Sequence, residues 1–148
     1  MNKNIRGFLG VIISLVLTFL VIMPVYGSDG FWSYENTINR GKRNGERVLK
    51  EMKDVPINKE FTVKFNEKVD TEEVESFVTL LRECKDGIMR SEKTCMVSAN
   101  DSEEEKNIYS IGLNSNTRYI LILHKGIESN EGNVLKKDVY LPFITEKK

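Results

Sequence analysis

The stretch Phe61-Thr62-Val63-Lys64-Phe65 alternates apolar and polar side chains without a break. In an extended chain Phe61, Val63 and Phe65 share one face, and Thr62 and Lys64 share the other. This period of two predicts a β-strand that buries one face against a core and leaves the other face in water. It is the clearest strand signal in the sequence, and it decides the fold class predicted below.

Further segments of strand character follow at regular spacing along the chain. Tyr119 to Leu123 is apolar on both faces, so it predicts a strand at the centre of a sheet. Pro142 cannot donate a backbone hydrogen bond, so it predicts an edge or a bulge in the last strand. The predicted segments are Val48–Met52, Phe61–Phe65, Phe77–Arg82, Ile88–Arg90, Thr94–Val97, Ile108–Leu113, Tyr119–Leu123 and Val139–Thr145.

This spacing predicts an all-β fold, an antiparallel β-sandwich of about seven strands with Greek-key links. A small β-barrel is the alternative. The predicted domain covers residues 47–148. Residues 28–46 are polar and contain several glycines and asparagines, which predicts a loosely ordered lead-in or linker.

The first 27 residues have the pattern of a signal peptide. Lys3 and Arg6 precede an uncharged run from Phe8 to Met23, and small residues near Gly27 offer a cleavage site. An uncleaved membrane anchor is the alternative, although the run is shorter than the about 20 residues that cross a bilayer. The sequence therefore predicts an N-terminal signal helix and a secreted or cell-surface location.

The bulk composition excludes several classes of protein. The chain has 148 residues, the size of one domain, and 22 basic residues balance 22 acidic ones. A broad basic surface for nucleic acid is therefore not expected. Two cysteines and one histidine leave few ligands for a metal. No cofactor, no metal and no catalytic residue is predicted, and any contact with a membrane would be made only through an uncleaved N-terminal segment.

Three segments in order resemble one known family. They are Val55–Asp70, which ends in Phe-Asn-Glu-Lys-Val-Asp, Leu113–Tyr119, which turns between a leucine and a tyrosine, and Gly126–Leu135 followed by Phe143-Ile144-Thr145. Together they are similar to the bacterial Ig-like domains of the S-layer-protein type. The resemblance implies an Ig-like sandwich that acts as a structural or adhesive module on bacterial surface and secreted proteins.

The resemblance also suggests roles for two residues. Tyr119 follows Leu113 across a turn, a spacing that suits a tyrosine corner, in which the hydroxyl bonds to backbone a few residues upstream. An ordinary half-buried strand tyrosine is the alternative. Gly132 precedes Asn133 in a predicted turn and is expected to supply a positive φ there.

Cys84 and Cys95 flank a predicted turn, and an exported protein meets oxidising conditions, so a disulfide between them is one expectation. Two free, partly buried thiols are the other. A nucleophilic pair of either cysteine with His124 is disfavoured because no cysteine-enzyme signature surrounds them.

Other polar and aromatic residues have simpler interpretations. The acidic run near Glu103 lacks the spacing of a calcium loop and predicts a solvated loop. Trp32 is the only tryptophan and could take part in sugar binding. The predicted function is therefore non-enzymatic contact with a protein or a cell-envelope component. The alternatives are a carbohydrate- or cell-wall-binding module of the same fold and, less favoured, a small exported hydrolase.

Overall fold

The computed structural model describes residues 32–92, 95–99, 102–110 and 112–148. The predicted signal peptide lies outside these residues, as does the first part of the predicted lead-in. The described residues form two helices and nine strands. These are α1 Tyr34–Arg43, β1 Arg47–Val48, β2 Met52–Val55, β3 Glu60–Lys64, α2 Thr71–Ser76, β4 Val78–Glu83, β5 Met89–Glu92, β6 Cys95–Ala99, β7 Glu105–Ser110, β8 Arg118–Leu123 and β9 Val139–Thr145.

The strands make two sheets that face one another. The larger sheet has the order β1-β9-β8-β4-β5, and β2 also pairs with β9. The smaller sheet has the order β3-β7-β6. The chain crosses between the sheets after β2, β3, β5 and β7, so strands that are neighbours in sequence often belong to different layers. The predicted all-β sandwich is confirmed.

The strand pairing differs from the prediction in one respect. The sandwich was predicted to be antiparallel, but β1 and β2 both pair in parallel with β9. The predicted segment Val48–Met52 is split between these two strands. The described residues form nine strands where about seven were predicted, and this split accounts for part of the difference. The first strands thus join the last strand instead of covering the outer edge of β3.

The core lies between the two sheets, and aromatic rings fill its centre. Phe143 lies 5.0 Å from Phe61 and 5.3 Å from Tyr119, measured between ring centroids. Phe61 is buried, as the alternation of its strand predicts, while Thr62 beside it is exposed. Rings of this size bury much apolar area and dominate the stability of a small core. The sequence pattern of β3 therefore fixes which of its faces meets the larger sheet.

The other face of the larger sheet is covered by α1. Ile120 and Ile122 of β8 pack there against Tyr34 and Ile38 of the helix. The strand β8 is therefore buried on both faces, as its apolar sequence predicts. The prediction of a loosely ordered lead-in is wrong for residues 34–43, because two apolar side chains one turn apart give this polar segment a face to bury.

Pro142 lies in an interior strand, so of the two predicted settings the edge is wrong, whereas an irregular register, the setting of a bulge, does lie beside it. Its partner across β8 is Ile120, while β1 and β2 lie on its other side. On that side Tyr140 of β9 and the residues flanking the strand, Asp138 and Glu146, make backbone hydrogen bonds. Their partners are Leu49, Arg47 and Val55 respectively. Pro142 falls between the β1 and β2 pairings, where the parallel ladder is interrupted, so the missing N–H falls in this gap.

Candidate functional site

The hydroxyl of Tyr119 accepts a hydrogen bond from the backbone N–H of Asn114 at 2.8 Å. This is the contact that the predicted tyrosine corner requires. Thr145 adds to it, since its hydroxyl donates to the carbonyl oxygen of Asn114 at 2.6 Å and accepts from the N–H of Thr117 at 3.0 Å. Burial raises the pKa of Tyr119, so this hydroxyl stays protonated at neutral pH. The cluster is a structural lock on the turn before β8.

Gly132 has a φ of +82°, as its position in the predicted turn required. The turn is held from a distance by Glu67, which accepts hydrogen bonds from Ser129 and, at 2.8 Å, from the side chain of Asn133. These hydrogen bonds lower the pKa of Glu67. A carboxylate that accepts two such bonds is a tie between loops and is poorly suited to act as a general acid.

Cys84 and Cys95 are free, half-buried thiols in the structure, which matches the second of the two expectations and differs from the disulfide. Cys84 follows β4 of the larger sheet and lines a cavity on its outer face. Cys95 begins β6 of the smaller sheet and packs against the core. Burial raises the pKa of Cys95 to about 11, so its thiol is neutral and unreactive at physiological pH.

His124 does not meet a cysteine, but it lies between a hydroxyl and a carboxylate. Its Nε2 is 3.0 Å from Oγ1 of Thr79, and its Nδ1 is 3.5 Å from Oδ2 of Asp138. Asp138 is itself held by the backbone N–H of Lys125 at 2.8 Å. This arrangement of hydroxyl, imidazole and carboxylate resembles a hydrolase triad. None of the three residues, however, lines the two large cavities described below. No local sequence pattern predicts this cluster, because its members are far apart along the chain.

A cleft with apolar walls lies between the two sheets. It has a volume of about 540 Å³ and opens between β3 on one side and β1 and β2 on the other. Both layers contribute apolar side chains to its wall, chiefly Leu49, Met52, Phe65, Leu135 and Leu141. Of these, Met52 is 38% exposed. Apolar surface of this kind between layers is what binding grooves use.

The edge of β3 forms one rim of this cleft. The inward-facing residues Phe61 and Val63 pair with Ile108 and Lys106 of β7, and the N–H of Phe65 continues this ladder to Glu104 at 2.9 Å. The alternate residues therefore direct their backbone groups away from β7. These are Glu60, Thr62 and Lys64, and all three line the cleft. No strand of the described residues pairs with this edge.

The family was assigned by comparison with known proteins. A family model described as a bacterial Ig-like domain matches residues 49–145. The chain belongs to the bacterial Ig-like domain family. The match is to the family as a whole, so the S-layer-protein type stays a prediction. No curated protein matches the chain.

Bacterial Ig-like domains are generally non-enzymatic and are commonly extracellular or exposed on a surface. In the described part of this one, no three side chains of the metal-binding types are grouped to hold an ion. Over the same residues, neither helix has the length and apolar character needed to cross a bilayer. Trp32 is the only largely exposed aromatic side chain described, and Arg40 lies 5.6 Å over its ring. Carbohydrate binding therefore stays a prediction.

The residues of the cleft in this bacterial Ig-like domain were not predicted. Phe65 was interpreted as core, and the apolar residues of Val48–Met52 as an ordinary strand. The cleft exists because β1 and β2 pair with β9, and local sequence does not determine that choice of partner. Pro56 lies between β2 and β3, where the chain crosses from one sheet to the other, but it does not determine which strand β2 pairs with.

Proposed function

We propose that this bacterial Ig-like domain is an exported, non-catalytic surface module that binds an extended segment of a protein partner. The partner segment adds as a strand to the edge of β3 and places alternate side chains in the cleft. The single observation that carries this proposal is the unpaired edge of β3 beside an apolar cleft of about 540 Å³. Strand addition derives affinity from backbone bonds and specificity from pockets for alternate side chains.

The charges at the cleft suggest the character of the partner. Arg47 and Lys59 line it, and neither forms an ion pair within the described residues. Lys64 makes only a long contact of 3.5 Å with Glu105, and its side chain is 70% exposed. Glu60 is the one carboxylate of the lining. An excess of cations favours a strand in which apolar residues alternate with acidic ones.

The predicted export supports a partner outside the cytoplasm. The basic residues Lys3 and Arg6 followed by the uncharged run to Met23 favour secretion. Membership of a family that is commonly extracellular points the same way. The partner is then a secreted protein or a protein of the cell envelope.

A synthetic peptide of alternating valine and glutamate provides a test. We expect it to bind the purified full chain and to slow hydrogen exchange of the Thr62 amide, which points into the cleft. Thr62→Pro removes this N–H and should weaken binding at least about tenfold, since a strand pairing is lost. Thr62→Val keeps the N–H and also removes the hydroxyl, so it is the matched control and should bind as the parent does.

Two outcomes would contradict the proposal. One is equal binding by the Thr62→Pro and Thr62→Val variants, which would place the peptide elsewhere. The other is equal binding of a peptide with lysine in place of glutamate, which would remove the role of Arg47 and Lys59. Circular dichroism of both variants checks that each remains folded.

A further inference from the structure

A second large cavity lies on the outer face of the larger sheet, next to α1 and apart from the cleft. Its volume is about 510 Å³. Its floor is built by outward-facing residues of adjacent strands, Glu83 of β4, Arg118 of β8 and Ile144 of β9. The helix packs on the neighbouring part of this face, over Ile120 and Ile122, and none of its residues lines the basin.

Basic side chains outnumber acidic ones in the lining of the basin. It contains four basic side chains, those of Lys53, Lys85, Arg118 and Lys147, against two carboxylates, Asp54 and Glu83. The protein as a whole is neutral, so this excess is local. Within the described residues the three lysines have no ion-pair partner. They come from three different parts of the chain, a strand, a turn and the C-terminal segment, so the fold is what brings them to one basin.

Arg118 is held in place without having its donors used. Its guanidinium lies 5.1 Å from the ring of Tyr34. It also forms two long ion pairs, at 3.8 and 3.9 Å, with carboxylate oxygens of Glu35 and Glu83. These separations exceed a hydrogen bond. The stacked ring and the flanking carboxylates orient a planar group whose N–H bonds are free to meet another acceptor, which is the geometry that arginine uses to bind oxyanions.

The backbone around the basin is also unusual. Two residues other than glycine have left-handed φ in the described chain, Asp54 at +52° and Asn116 at +49°. Both line this basin. Such conformations are tolerated best by these residue types, but they still cost free energy and cluster at ligand sites.

We infer that this basin binds a terminal phosphate group, carried either by a lipid headgroup or by a soluble or polymeric phosphate. A terminal phosphate has up to two charges and three acceptor oxygens, so it can meet Arg118 and lysines at the same time. A single carboxylate offers two oxygens and one charge, which leaves most of the cations uncompensated. This site is separate from the proposed strand-binding edge, and the protein would use it to contact a second component of the envelope.

Inorganic pyrophosphate serves as the probe, titrated calorimetrically into the full chain in a neutral detergent. The test variant is Lys85→Gln combined with Lys147→Gln. The control is Lys136→Gln combined with Lys137→Gln, two exposed lysines outside the basin, so that both variants change the net charge equally. We expect the first pair to weaken binding about tenfold and the second less than twofold. Binding should also weaken as salt is added.

Vesicles distinguish the two sources of phosphate. Binding to phosphatidic acid vesicles over phosphatidylcholine vesicles, lost with Lys85→Gln and Lys147→Gln, assigns the lipid headgroup. Pyrophosphate binding without this preference assigns a soluble or polymeric phosphate. Absence of pyrophosphate binding overturns the inference, and so does an equal loss in both double variants, which would reflect net charge alone. Neither result bears on the Thr62 experiment, so the two proposals fail separately.

Discussion

The hydroxyl of Tyr119 makes one hydrogen bond in a buried corner, and its removal should be measurable. Tyr119→Phe leaves the N–H of Asn114 without its acceptor. We expect a loss of about 1–2 kcal/mol in the free energy of unfolding, measured by urea denaturation. Tyr140→Phe is the control, because the Tyr140 hydroxyl has no hydrogen bond within the described residues, and it should cost less than about 0.5 kcal/mol. Equal losses would show that the corner contributes no special stability.

Cys95 offers a test of both burial and redox state. With its pKa raised to about 11, its thiolate is scarce at pH 8.5, so folding should slow its alkylation by iodoacetamide about a hundredfold. In the unfolded chain the thiol has its ordinary pKa of 9.0 and ionises before the folded one. The free energy of unfolding should therefore fall as the pH rises above 9.0. Peptide mass spectrometry gives the rate. A chain lighter by two hydrogens and inert to alkylation after unfolding would contradict the free thiols.

The roles of Tyr119 and Gly132 could be predicted because each depends on residues nearby in the sequence. The turn between Leu113 and Tyr119 placed the tyrosine hydroxyl near upstream backbone, and Gly132 sat in a recognisable turn. The contact of Thr145 with Asn114 spans 31 residues of sequence, and the contact of His124 with Thr79 spans 45. Contacts at such separation follow from strand pairing and leave no local pattern.

At the scale of elements, α1 depends on the glycine that lets it approach the sheet. A Cβ on Gly41 would lie 3.3 Å from the ring of Tyr140 and 3.3 Å from Cγ2 of Val48. Gly41→Leu should therefore lower the free energy of unfolding by about 1–3 kcal/mol, as overpacking does. Asn39→Leu puts the same side chain on an exposed position of the same helix and should change stability by less than about 0.5 kcal/mol. Equal urea midpoints for the two variants would mean that α1 is not seated on β9.

Strands with a clear period were predicted well, while elements defined by their neighbours were not. The alternation in Phe61–Phe65 and the apolar run of Tyr119–Leu123 predicted β3 and β8 with the correct faces. The helix was missed because its buried side holds Thr37 and Gly41 beside Tyr34 and Ile38, which reads as polar. Its signal was Ser33, whose hydroxyl accepts from the N–H of Asn36 at 3.3 Å and caps the helix.

For the whole molecule, the helix lies outside the part that matches the family, which begins at residue 49. A chain without residues 34–46 keeps that part but exposes Ile120 and Ile122, which are 0% and 5% exposed in the protein. We expect a loss of about 3–6 kcal/mol from the missing burial of Tyr34 and Ile38, together with self-association through the bared face. Urea denaturation and analytical ultracentrifugation check this. An unchanged midpoint and a monomeric species would show that the helix is dispensable.

The fold class and the positions of the later strands along the chain could be predicted. Neither of the two proposed sites could be. The cleft depends on which sheet receives β1 and β2, and the basin gathers Lys53, Lys85 and Lys147 from distant parts of the chain. A site of this kind is a product of topology. Hydrophobic patterning determines which residues are buried, and it leaves open which exposed ones become neighbours.

The parallel pairing of the first strands with β9 also bears on how this module would respond to tension. Arg47 bonds to Asp138 at one end of the ladder, and Glu146 bonds to Val55 at the other, each at 2.9 Å. A pull that draws residue 47 and residue 146 apart runs along the strands, so it loads these bonds together in shear instead of opening them one by one. Pulled between residue 47 and residue 146, the module should resist force along that axis, and rupture under force is governed by the rate of unfolding.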